Sequence, residues 1–438
     1  MRVMKWSMIA LAVSASTSQF AMASSQEESK GFFEDQSLVA KTRMEYMNRD
    51  FKSGYGNARR ANGNNTTSNT AKINGYRQET GLSELLTYQS GFTQGTVGVG
   101  VDAFAGGAIK LDGGKGRAGN GLFANNGEGD QEDTQSRAGG AVKFRLSDTV
   151  LKYGNQFVGS PVFSTDDSRL LPEVATGTLI TSKEIKGLEL SAGRFTALSS
   201  QTGMGRDSIN GKGAAGLTSA NIAGATYQFT DNFVGTVAAS DVEDYFKKQY
   251  LNLNYTLPIA DTQSLNFDFN GYRTSGDGQE LNGEVDNKIW SLAAAYTLGA
   301  HKFTIAHQRS SGDAGYSYGI DGNGTIFLAN SIQISDFNNK DERSWQAAYN
   351  LNMATYGVPG LSFMARYVTG DNIDTGVSGA EGKEHELNYE AKYVLQEGPA
   401  KDLSFRFRSA VYRANGDLGQ NSNNNDVRLI VEYPLSIL

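Results

Sequence analysis

The residues of this chain best equipped for chemistry are its cations, and they recur at a spacing of two. In the stretch DLSFRFRSAVY (402–412) Arg406 and Arg408 stand two apart, and Arg428 sits in a second alternating run over 426–434. Lys41 with Arg43 (37–49) and Lys143 with Arg145 (136–146) repeat the pattern. A guanidinium grips a carboxylate through two parallel hydrogen bonds, whereas an ammonium acts as a point charge. Other chemistry finds little support. There is no cysteine, hence no thiolate and no disulfide framework. His301, His307 and His385 are too scattered for a metal site, and no serine stands in a recognisable arrangement with a base. The acidic run EGDQED (128–133) offers oxygens to a divalent cation but reads better as a solvated loop. GKGRAG (114–119) matches G-x-G-x-x-G formally, yet an Asn-, Gly- and acid-rich stretch follows where a nucleotide site needs a helix. Neither enzyme activity, metal nor cofactor is expected.

The elements that position the cations are strands. Successive side chains of a strand point to opposite faces. Leu403, Phe405 and Phe407 therefore share one face and Arg406 and Arg408 the other; Val427, Leu429, Val431 and Tyr433 oppose Arg428, Ile430 and Glu432. No sandwich core accepts arginines, but a transmembrane barrel is apolar outward and polar inward. The same rhythm runs through 37–49, 77–90, 96–111, 136–146, 149–155, 174–184, 187–196, 221–229, 232–241, 247–257, 263–274, 287–298, 301–309, 342–351, 360–369 and 385–395. With the two closing strands this predicts an all-β chain, a single transmembrane antiparallel β-barrel of about 18 strands. Tight turns such as 91–94 alternate with long loops such as 54–73, as expected for short periplasmic turns and long extracellular loops. Residues 156–173 form a loop too apolar for solvent, with Phe157, Val158, Val162, Phe163, Leu170 and Leu171. It is expected inside the barrel.

Composition agrees. Glycine (52), tyrosine (20) and phenylalanine (22) are abundant and proline (6) is scarce, which suits turns and aromatic girdles. Arg2 and Lys5, a short apolar stretch and Ala21-Met22-Ala23 read as a signal peptide over 1–23, leaving one domain over 24–438. The formal charge of −7 becomes −9 once Arg2 and Lys5 leave, an acidic whole unsuited to nucleic acid.

Several stretches resemble the OprD-type outer-membrane porin family, the substrate-specific channels of Gram-negative bacteria. They are NRDF (48–51), SGFTQGTVGVGVDA (90–103), DSRLLP (167–172), TSKEIKGLELSAGRF (181–195), NSIQISDFN (330–338) and EYPL (432–435), which together span the chain from first strand to last. The resemblance implies eighteen strands and an eyelet narrowed by third and seventh loops, here 156–173 and 311–340, folded into the lumen. It also implies a ladder of cations that guides carboxylates: Lys41, Arg43, Arg406, Arg408 and Arg428, with Lys143 and Arg145 as a second patch. Arg169 and Asp336 would join from the loops. Arg309 is a further candidate, although strict counting from Phe303 and Ile305 turns it toward lipid. The implied function is passive uptake of small carboxylates across the outer membrane, with aromatic or cyclic ones such as benzoate favoured. The alternatives are a basic amino-acid or carbapenem channel of the same family, an unselective porin, and, from other classes, a barrel enzyme or an adhesin. The implied partners are the solutes, outer-membrane lipid and lipopolysaccharide, around a monomer or weak trimer.

Overall fold

The computed structural model describes residues 26–52, 75–126, 129–209, 215–418 and 423–438. The segment assigned to the signal peptide and the long loop over 54–73 lie outside the described residues, except that the loop's neighbours at 52 and 75 are placed. The strands in chain order are β1 (Ser37–Phe51), β2 (Tyr76–Gln89), β3 (Val97–Asp112), β4 (Thr134–Leu146), β5 (Thr149–Gln156), a short hairpin of β6 (Gly159–Ser160) and β7 (Phe163–Ser164), β8 (Val174–Ile185), β9 (Leu188–Ser199), β10 (Ala220–Thr230), β11 (Phe233–Val242), β12 (Phe246–Ala260), β13 (Gln263–Gly276), β14 (Asn287–Leu298), β15 (His301–Gly312), β16 (Arg343–Asn352), β17 (Leu361–Asp374), β18 (Glu381–Val394), β19 (Ser404–Ala414) and β20 (Asn424–Ser436). Apart from the β6–β7 hairpin they form one 18-stranded antiparallel sheet in which each strand pairs with its chain neighbours. β1 pairs with β20 from Val39↔Ser436 to Phe51↔Asn424, so the sheet closes on itself. Among the described residues no helix is long and apolar enough to cross a membrane. In lipid a closed sheet needs none, because it leaves no edge and pairs its own backbone groups.

Alternation sorts the side chains as expected. Val97, Val99, Phe144, Leu146, Phe303, Ile305, Phe405, Phe407 and Leu429 are exposed on the outer wall, while Arg43, Glu45, Lys143, Arg145, Gln308, Glu386, Asp426 and Arg428 are buried on the inside. Something must cover that polar interior. The cover is chain from the loops: the third loop (157–173), carrying the β6–β7 hairpin, and the seventh (313–342) both fold inward.

Apolar packing holds them. Val158, Val162 and Phe163 of the third loop join Phe195, Phe246, Tyr272 and Ile289 of the wall and Tyr316, Ile320 and Leu328 of the seventh loop in one buried cluster. Phe163 stacks on Phe195 at 4.4 Å. Leu170 and Leu171 enter a second cluster with Met47, Ala108, Leu122 and Phe123. Each such side chain stabilises the inward fold by about 1.5–3 kcal/mol.

One ion pair fixes the seventh loop to the barrel wall. Lys248 of β12 and Asp321 of the loop are both fully buried, with Nζ 2.6 Å from Oδ2, and the ammonium lies 4.6 Å from the Tyr316 ring. Leaving one partner of a buried pair uncompensated costs roughly 3–5 kcal/mol, while replacing both is close to neutral. Lys248→Met is therefore expected to make the seventh loop sensitive to protease and to lower the temperature at which the barrel loses its folded gel mobility. Lys248→Met/Asp321→Asn should recover most of both.

Candidate functional site

Three neighbouring strands, β19, β20 and β1, bring the cations at the two ends of the chain into one wall. Arg408 faces Arg428 directly across the β19–β20 ladder, and Arg428 is in turn opposite Met47 of β1. Like charges placed so are destabilising unless anions interleave. They do: Arg428 Nε donates to Asp426 Oδ1 at 2.8 Å, Arg49 pairs with Asp426 at 2.9 Å, and Arg406 and Arg408 share Glu390 at 2.7 and 3.4 Å. Glu45 is buried within the field of Arg169, Arg428, Arg43 and Arg408. β17 adds Arg366, whose guanidinium donates to Asn388 at 3.2 Å. Sequence reasoning missed this residue, although Ser362, Met364, Arg366 and Val368 alternate with Leu361, Phe363, Ala365 and Tyr367 as on the other strands.

The third loop is clamped to this wall. Asp167 accepts from Lys41 at 2.5 Å and pairs with Arg43 at 3.1 Å; Arg43 also donates to the Asp167 backbone oxygen at 2.8 Å and to that of Arg169, and pairs with Glu432 at 2.5 Å. Burial favours the protonated Asp167 carboxyl, but Arg43 and Lys41 outweigh it and hold the group below the usual carboxylate range. Ser83 Oγ donates to the Leu170 carbonyl at 2.8 Å. Arg169 donates from Nε to Asn120 O at 3.2 Å. Lys41 and Arg43 are thus wall cations and loop clamps at once.

The seventh loop reaches the same wall from the other side. Gln333 Nε2 donates to Asp426 at 2.8 Å, Arg428 donates to Gln333 O at 3.1 Å, and Ser335 N donates to Glu386 at 2.9 Å. Asp336 accepts from Tyr318 Oη at 2.5 Å and Ser331 Oγ at 2.6 Å, so it frames the loop itself. Burial raises its proton affinity against those two hydrogen bonds. The loops also join each other. Ser164 N donates to Asp321 O at 3.0 Å and Gly324 N to Ser164 O at 3.2 Å, and Asn323 N donates to Glu173 at 3.0 Å. Gly322 has φ +96°, and a Cβ there would collide with the Ser164 carbonyl, so only glycine lets the two backbones approach.

Two placements bear on the expected cation track. Lys143 and Arg145 do point inward but are covered: Lys143 Nζ donates to Ser90 O at 2.8 Å and pairs with Asp102 at 2.7 Å, and Arg145 lies 4.2 Å from the Phe92 ring and donates to Gln26 Oε1 at 2.8 Å. The turn at 90–96 and the segment ahead of β1 fold over them, so this patch braces the periplasmic rim. Arg309 is exposed in the same row as Phe303 and Ile305. No bulge interrupts β15, the strict count holds, and Arg309 is on the outer wall rather than in the constriction.

A closed barrel with a lumen narrowed by its own loops against a charged wall defines an outer-membrane channel. Residues 30–437 match the outer membrane porin, OprD family. The chain is 48% identical to Porin D of Pseudomonas aeruginosa, with all of both chains covered. Among solved structures it is similar to OccAB1 of Acinetobacter baumannii (32% identity, TM-score 0.85, 95% of this chain and 100% of that one) and to P. aeruginosa OpdK with vanillate (31%, 0.79, 93% and 100%). The chain belongs to the OprD family of outer-membrane porins, which are channels and not enzymes.

Deleting 158–164 removes the hairpin that meets the seventh loop, and the open-channel conductance is expected to rise. Burial of Glu173 pushes its carboxyl up to about 7 against the hydrogen bonds from Asp166 N and Asn323. A raised carboxylate pKa means that the folded state binds the extra proton, so the loop junction is firmest below the ordinary glutamate range near pH 4.5 and weakens as pH rises through about 7. Protease cutting of the third loop should therefore increase from pH 5 to pH 8 in the parent and stay flat in Glu173→Gln.

Proposed function

We propose that this porin conducts small carboxylate-bearing solutes passively along the wall that carries the half-buried Arg366, Arg406 and Arg408, with the third and seventh loops, clamped to the edge of that wall through Arg43 and Arg428, narrowing the lumen beside it. The observation that supports this most is the grouping of those arginines on one stretch of wall, Arg406 and Arg408 on β19 beside Arg428 on β20, and Arg366 on β17 one strand removed across β18. Each guanidinium replaces part of a carboxylate's lost water. The carboxylates already interleaved there, Glu45, Glu390 and Asp426, compete for the same donors, so a passing anion is held weakly at several places and released. Loops that meet across the lumen argue against an unselective pore.

Two solute groups fit such a wall. Aromatic carboxylates are favoured by the vanillate named with the related OpdK, and benzoate is the simplest test compound. Solutes that also carry a cation, such as basic amino acids, are favoured by the acids that line the same track. Single-channel recording with benzoate and with arginine separates them. Arg408→Ala is expected to weaken carboxylate block roughly tenfold, the value of one charge-assisted hydrogen bond. Unchanged block would remove Arg408 from the track, and block by arginine alone would assign the channel to the second group.

A further inference from the structure

The outer wall carries a cation row that the channel does not use. On β13–β16 the exposed cations near the extracellular end are Arg273, Lys288, Arg309 and Arg343. Arg273 is directly opposite Lys288, and Arg309 is directly opposite Arg343. Two like-charged cross-strand pairs side by side are unfavourable on any sheet. Elsewhere on the rim outward cations are satisfied: Lys247 pairs with Asp277 at 2.5 Å, Lys383 with Glu381 at 3.6 Å, and Arg413 donates to Asn424 O at 2.9 Å. Here Arg343 alone has an acid, Asp371 at 3.6 Å. Among the described residues no carboxylate forms an ion pair with Arg273, Lys288 or Arg309.

The row sits at a defined depth. Trp290 is the cross-strand partner of Arg309, and His307 packs against both Trp290 (5.4 Å) and Trp345 (4.3 Å). Tryptophans of this kind mark the level of lipid headgroups. From Lys288 to Leu298 the strand takes 10 steps, which at about 3.4 Å each and a tilt of roughly 40° spans about 26 Å, close to the apolar height of such barrels. The cations are therefore at the upper edge of the apolar band, where an anion arriving from the membrane would sit between the opposed pairs and remove their repulsion.

We infer that Arg273, Lys288, Arg309 and Arg343, beside the Trp290–His307–Trp345 cluster, form a binding site for the phosphate groups of the glycolipid in the surrounding outer leaflet. Its acyl chains would lie on the outer wall below. Guanidinium and ammonium donors suit phosphate oxygens, and each cation near a lipid surface contributes about fivefold in affinity.

The chain has 3 tryptophans, and Trp6 precedes the expected cleavage site, so the fluorescence of the mature barrel comes from Trp290 and Trp345, beside the site. The test is a titration of the purified full barrel in non-ionic detergent with bisphosphorylated lipid A and with its dephosphorylated form, read by that fluorescence and by native mass spectrometry. Folded mobility on an unheated gel certifies each variant. The expected result is preference for the phosphorylated lipid, a loss of roughly 25-fold in Lys288→Gln/Arg309→Gln, and no loss in Arg194→Gln, which changes an exposed cation on β9. Binding should survive EDTA, since no bridging metal is involved. Equal binding of both lipids, parent-like binding by the double variant, an equal loss in Arg194→Gln, or displacement by millimolar inorganic phosphate would each overturn the proposal.

Discussion

The pairing of β1 with β20 is the constraint from which the rest of this structure follows. Backbone groups in lipid must find partners within the protein, and a sheet achieves this only by closing. Closing 18 strands opens a lumen too wide for side chains alone to fill. The chain fills it with its own loops, and the loops need something to hold. They hold the seam: Lys41 and Arg43 from the first strand bind Asp167, and Asp426 and Arg428 from the last bind Gln333. The contact that closes the barrel is also the contact surface that shapes its eyelet.

Parity then decides what each cation does. Arg408, Arg145 and Arg309 are chemically identical and all lie on strands. Arg408 faces the lumen beside a shared carboxylate, Arg145 faces inward but lies under Phe92 and Gln26, and Arg309 faces lipid beside Trp290. A shift of one residue in register would exchange inside for outside. Loops decide the remainder, by covering some inward positions and leaving others beside the path.

Much of this was legible in the sequence because a strand's period is two and burial on one side enforces it. The strands, the outward turn of Arg309, and the apolar character of the third loop all follow from neighbouring residues. What depends on distant residues was not legible. Lys248 and Asp321 are 73 positions apart, Asn323 and Glu173 150 apart, and nothing local marks them as partners. Lys143 and Arg145 carry the same alternation as Arg406 and Arg408, and what distinguishes them is the folding of the turn at 90–96 and of the segment ahead of β1 over the rim. Arg366 was legible but stood alone on its strand, without the doubled spacing that drew attention to the others.

If solutes travel along the wall of Arg408 and not past Arg145 or Arg309, only position 408 responds to an added negative charge. The chain has no cysteine, so single cysteines at these three positions can be modified one at a time with a negatively charged thiol reagent while current through one channel is recorded. Stepwise loss of current at position 408, with none at 145 and 309, is the predicted result. Loss of current at 145, or a channel that ignores modification at 408, would place the solute path elsewhere.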